Sequence, residues 1–205
     1  MQLFLNATSP FARLARVTAL EKGLADQLTL VWSDPWGDDS LLQSTHPQNR
    51  IPVLRTADGH AIAESLLIAQ YLDHTGHGPA LVPATQAAQV LARTSVAYGL
   101  MEAAFNLVIA RKYEGAATAD ASVMGQRRGA AIQRVLAQLE AQPPAAISLD
   151  PYSAVTLDAI TAVIALAYVQ FRLSTLFPAA QYPQLHAWLQ HSEQRPSLAV
   201  TAFAR

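Results

Sequence analysis

The 205-residue sequence predicts two units in tandem: an α/β unit of βαβ-ββα order over residues 1–77, and an all-helical unit over residues 84–205. Three observations carry this prediction. Short apolar runs alternate with helix-like segments through the first part of the chain, as in α/β units. A stretch from His77 to Ala84 is broken by Gly78, Pro79 and Pro83 and reads as a linker. Beyond Pro83 the strand-like alternation stops, and Ala-, Leu- and Gln-rich helical patterns take over.

The elements follow in order. Gln2 to Leu5 and Leu28 to Trp32 read as strands. Between them Phe11, Leu14, Val17, Leu20 and Leu24 recur at helical spacing, with Ser9-Pro10 as cap and first-turn pair and Gly23 as the stop. Pro52 to Arg55 and His60 to Ala63 form a second strand pair, joined through Asp58-Gly59, a dipeptide suited to a tight turn. Ser65 then opens an apolar-faced helix carrying Leu66, Leu67, Ile68, Ala69, Tyr71 and Leu72. Later helices are predicted at 84–114, 122–141, 156–171, 183–192 and 197–203, with breaks at Pro143-Pro144, Pro178 and Pro196.

Composition narrows the function classes. The chain is 51% hydrophobic and 14% charged with a formal net charge of -1, too apolar for disorder and without the basic signature of a nucleic-acid binder. Met1 to Leu5 lacks the basic, apolar and small-residue regions of a signal peptide, so a cytoplasmic protein is expected. The apolar stretch from Ala159 to Val169 is too short to cross a bilayer and reads as a buried helix; no membrane partner is expected. With no cysteine, any sulfur chemistry must use a thiol brought by a ligand. His74 and His77, the close histidine pair, read as a solvated turn, and no metal or nucleotide is expected.

Four segments, in order, resemble the glutathione transferase family. Thr8-Ser9-Pro10-Phe11-Ala12-Arg13 is similar to its strand-to-helix turn, with Ser9 where an omega-type Cys-Pro-Phe-Ala motif has cysteine, as in a bacterial serine-type member. Asn49-Arg50-Ile51-Pro52-Val53-Leu54 resembles the segment that holds the family's cis-proline, and Glu64-Ser65 the pair that grips the γ-glutamyl end of glutathione. Tyr182-Pro183, Leu185, Trp188 and Arg195-Pro196-Ser197 resemble the close of its helical domain. The resemblance implies a thioredoxin-like N-terminal domain, glutathione as co-substrate, a small electrophilic partner, a detoxifying role and a homodimer.

Two departures stand out. His46-Pro47-Gln48-Asn49-Arg50 replaces the family's Asn-Pro-x-Gly-Lys, and in Val155-Thr156-Leu157-Asp158 the acid follows Thr156 by two residues rather than three.

The implied chemistry is thiolate stabilisation. A thiol with a pKa of about 8.5 must be lowered by roughly two units to ionise at neutral pH, which requires about 2.7 kcal/mol. A hydrogen bond to the charged form contributes about 1.5–3 kcal/mol and a helix N-terminus about 0.3–2 kcal/mol. One hydroxyl at a helix start therefore suffices. Ser9 can accept from first-turn N–H groups while its single proton points at the sulfur, and Thr8 is the runner-up. The bare motif also fits a Ser9 that only caps the helix.

The resemblance further implies that Ile51, held by a cis bond to Pro52, pairs its backbone with the cysteinyl part of glutathione. Ser65 and nearby N–H groups would hold the γ-glutamyl carboxylate, Glu64 its ammonium, and Arg50 the glycyl carboxylate. Phe11, Tyr98, Met101 and Phe105 are candidates for the second-substrate pocket, which in the family lies between the first helix and the first long helix of the second domain. Tyr98, Met101 and Phe105 share one helical face, a pattern equally made by core residues. A ligand-binding or scaffold protein on the same fold is the alternative function. A glutathione-dependent reductase or isomerase ranks lower, because the chain has no thiol for mixed-disulfide exchange.

Overall fold

Alternation along one strand organises the N-terminal part. In the computed structural model, which describes residues 1–203, β1 (Gln2–Leu5) sends Leu3 and Leu5 to one face of a sheet and Phe4 to the other. β1 pairs in parallel with β2 (Thr29–Trp32) and antiparallel with β3 (Val53–Arg55), which pairs antiparallel with β4 (Ala61–Ala63). The sheet order is β2-β1-β3-β4. α1 (Pro10–Glu21) and α3 (Ser65–Thr75) cover the Leu3/Leu5 face with Ala12, Ala15, Ala19, Ile68 and Leu72. On the other face Phe4 packs with Val53 and with Leu42 of α2 (Ser40–Thr45).

The strands are shorter than their apolar runs. Pro52 has no N–H for a ladder, and His60 belongs to the turn, where Thr56 N–H bonds its carbonyl at 2.9 Å. Within that turn Gly59 has a φ of +92° while Asp58 does not enter the left-handed region, so the hairpin loop is wider than a two-residue turn. α2 was not predicted. Its N-cap Asp39 accepts the Leu42 N–H at 3.0 Å, and that bond holds the carboxyl below the usual aspartate range.

Unit 1 comprises Met1–Leu81, Asp150–Ala154 and the chain from Pro196 onward; unit 2 comprises Val82–Leu149 and Val155–Arg195. Unit 2 is built from α4 (Ala87–Glu114), α5 (Ala116–Ala121), α6 (Val123–Ala141), α7 (Leu157–Arg172) and α8 (Pro183–Ser192). The predicted start at Ala84 is a separate 3-10 turn over Ala84–Gln86. α7 is the centre of this unit, with every residue from Ile160 to Val169 buried. Burial raises the Tyr168 hydroxyl to a pKa of about 12. Among the described residues no helix is long and apolar enough to cross a membrane.

α8 ties down the segment before α7. Trp188 Nε1 donates to Ala145 O at 3.0 Å, His191 Nε2 lies 2.9 Å from Ile147 O, and Arg195, 1% exposed, donates to Ser148 O at 2.6 Å. Glu140 of α6 accepts the Gln184 and Leu185 N–H groups at 3.0 and 2.9 Å and closes the start of α8.

The last helix, α9 (Pro196–Ala199), belongs to unit 1 and is shorter than the predicted 197–203. Arg13 explains the early stop: its Nη2 donates to Leu198 O at 3.0 Å, and the following N–H groups shift to i−3 carbonyls at Leu198 and Ala199.

A buried lysine closes the end of α3. Lys22, 2% exposed, places Nζ 2.9 Å from Asp73 Oδ1 and 2.9 Å from Pro79 O, and Asp73 also accepts the Leu81 N–H at 3.0 Å. Gly76 permits this approach, since a Cβ there would lie 2.5 Å from Lys22 Cβ.

Candidate functional site

The turn between β1 and α1 is set by one side chain. Asn6 Oδ1 accepts the Ser9 N–H at 2.8 Å and the Thr8 N–H at 3.1 Å, an Asx turn that delivers the chain into α1. Ser9 then serves as N-cap with extended backbone, and its Oγ accepts the Ala12 N–H at 3.2 Å. Pro10 follows at the first helical position, where a missing N–H costs nothing. Because Oγ accepts from the helix, its single O–H proton is directed elsewhere. Ser9 is 7% exposed and Thr8 half-buried, so Ser9 is the hydroxyl integrated into the helix start.

The second group lies where β3, β4 and α3 meet. Ile51–Pro52 is a cis peptide, and Val53 beyond it pairs with Ala63 across the hairpin. Glu64 follows β4 with φ 66° and ψ 116°. A glutamate in that region carries strain of about 1–3 kcal/mol, and such outliers concentrate at ligand contacts. Ser65, 1% exposed, is the first residue of α3, and the side chain of the N-cap Glu64 makes no cap hydrogen bond. The N-terminal field of α3 therefore favours an anion.

Arg50 and Glu64 come together at this edge, with Nη1 3.7 Å from Oε1 and side-chain exposures of 66% and 52%. A pair so exposed and so long is weak and opens readily for a competing carboxylate or ammonium. Asn49, with φ 48°, stands where the family glycine was missed, and its Nδ2 donates to Pro35 O at 3.4 Å. The structure thus gathers Arg50, Ile51, Pro52, Glu64 and Ser65 on neighbouring segments of unit 1.

The remaining candidates are distributed differently. Phe11 is half-buried in the first turn of α1 in unit 1. In α4 of unit 2, Met101 is fully buried, while Tyr98 and Phe105 are half-buried. Sequence reading missed Asn6, although an asparagine three residues before a Ser-Pro pair is an Asx-turn signal.

The fold has known relatives. Residues 8–75 match the family described as "Glutathione S-transferase, N-terminal domain". The "Uncharacterized GST-like protein YibF" of Escherichia coli K12 is 26% identical over 204 residues, covering 98% of each chain. A glutathione transferase family member from Pseudomonas fluorescens Pf-5, solved with bound glutathione, is 29% identical at a TM-score of 0.85, over 100% of this chain and 99% of that one. A glutathione S-transferase from Methylobacillus flagellatus KT, solved with GSH bound, is 27% identical at 0.84, over 99% of each chain. Residues 8–75 thus match the glutathione S-transferase N-terminal domain family, and over its full length the chain shares the fold of these glutathione transferases.

Proposed function

We propose that this protein is a glutathione transferase that joins the glutathione thiol to small electrophiles, with Ser9 stabilising the thiolate. The observation that carries this reading is the Ser9 hydroxyl, which accepts the Ala12 N–H as helix cap and keeps its own proton to donate. Glutathione bound in the Pseudomonas and Methylobacillus relatives supports the co-substrate. Ile51 offers backbone to the cysteinyl part, the start of α3 with Ser65 takes the γ-glutamyl carboxylate, and Glu64 takes its ammonium. Arg50 takes the glycyl carboxylate after leaving Glu64. In the reaction the thiolate sulfur bonds the electrophilic carbon, the leaving group departs with its electron pair, and the thiol proton passes to solvent. The protein acts as a cytoplasmic homodimer in this reading, and sedimentation reads its assembly.

Ser9→Ala tests the mechanism. Loss of one hydrogen bond to a charged sulfur, about 1.5–3 kcal/mol, lowers kcat/KM for a generic aromatic electrophile by about 10- to 150-fold. Calorimetric glutathione affinity changes far less. An unchanged rate removes Ser9 from the mechanism and moves the role to Thr8. A second reading, a glutathione-binding protein without turnover, draws on the replaced loop at Gln48 to Arg50 and on the Arg50–Glu64 pair, which a ligand must break. Glutathione binding by the unaltered protein without any conjugation selects it.

A further inference from the structure

The Ser9 hydroxyl can meet a sulfur only if the turn that carries it is fixed. β1 is a central strand, paired with β2 on one side and β3 on the other, so its end at Leu5 is a rigid platform. Asn6 is the first residue beyond it and is half-buried. Among the described residues no backbone carbonyl accepts the Thr8 or Ser9 N–H, and both go to Asn6 Oδ1, at 3.1 and 2.8 Å. One side-chain oxygen therefore holds the path from sheet to helix.

The same oxygen treats the two adjacent hydroxyls differently. Thr8 Oγ1 lies 3.5 Å from Oδ1, at the long limit of a hydrogen bond, and because Oδ1 only accepts, the Thr8 proton is drawn back into the turn. Ser9 Oγ instead accepts the Ala12 N–H and keeps its proton for a ligand. The residue type also fits the chemistry. An aspartate would hold the same N–H groups, but its negative charge beside the sulfur would disfavour a thiolate, whereas a neutral amide does not.

We propose that Asn6 is a positioning residue for the thiol chemistry: through Oδ1 it fixes the Ser9 backbone and selects the Ser9 hydroxyl over that of Thr8. The inference rests on the reading of Ser9 as the thiolate donor. Asn6 acts through Ser9, while the γ-glutamyl and glycyl ends of glutathione are held by other segments in that reading, so rate and thiol ionisation respond to Asn6 and affinity hardly does.

The test uses the full chain, with glutathione and chlorodinitrobenzene as probes. Asn6→Leu removes the acceptor at similar side-chain size and should lower kcat/KM about tenfold. The bound thiol, followed by its thiolate absorbance across pH, should ionise about one pH unit higher, while calorimetric glutathione affinity moves by less than about threefold. In a Ser9→Ala background the same change should cost less than about twofold more, since its effect passes through the missing hydroxyl. Asn6→Asp keeps both N–H bonds and the melting temperature, yet should also raise the ionisation of the bound thiol, a readout that a purely structural role does not move. It decides the matter if Asn6→Leu does not fold. Unmoved thiol ionisation in the folded variants, or full additivity of Asn6→Leu with Ser9→Ala, overturns this inference alone. A silent Ser9→Ala overturns the Ser9 reading and this inference with it.

Discussion

The start of α8 in unit 2 and the start of α3 in unit 1 are finished differently. In unit 2 the start of α8 is closed by both oxygens of Glu140, and α6 is capped by Ser122, whose Oγ accepts the Gly125 N–H at 2.9 Å. In unit 1 α1 is closed by a serine whose proton remains to donate, and the N-cap of α3, Glu64 at positive φ, makes no side-chain cap bond. Yet the far end of α3 is held by the buried Lys22–Asp73 pair. A helix anchored at one end and open at the other, next to local strain, is the arrangement expected where a ligand completes the hydrogen bonding.

Substitutions can break or sharpen this contrast. The largest effect is expected for Lys22→Ala, which leaves Asp73 without its cation and frees the carbonyl of Pro79; urea unfolding should show a loss of about 3–5 kcal/mol. A loss below about 1 kcal/mol, the value of a surface pair, would show that α3 is not anchored there. Next, Glu140→Ala uncovers two N–H groups at the start of α8 and should lower stability by about 1–3 kcal/mol. Glutathione affinity should not move, since the closed helix end serves only the fold.

The smallest and opposite effect is expected at the open end. Glu64→Gly relieves the positive φ and should raise stability by about 1 kcal/mol while weakening glutathione binding, read by melting and calorimetry on the same samples. A variant that gains stability and keeps full affinity would dissociate the strain from the ligand.

These sites were unequally legible in the sequence. α1, α3 and α4 were readable because each buries a periodic apolar face, and α7 because its continuous apolar run is buried on all sides. α2 and α5 were not, because each buries a single residue, Leu42 and Ala119, and one residue makes no period. Ser9 announced its cap through the Ser-Pro pair, and Ile51–Pro52 its place through the family resemblance. Positive φ at Glu64 left no trace, since that region is ordinarily the territory of glycine, asparagine and aspartate. Lys22 was equally silent. A lysine reads as solvated until its partner appears, and Asp73 lies on a different helix.

The same ion pair fixes the contour of the chain that leaves α3. Pro79 lends its carbonyl to the ammonium and Leu81 its amide to the carboxylate, while Gly76 lies against Lys22 itself. This connector is therefore not slack cord but a measured strut, pinned at several points along its run. A tag or protease sequence spliced into it must either bulge outward or unpin the strut, so grafts belong in exposed turns such as the one around Ala57.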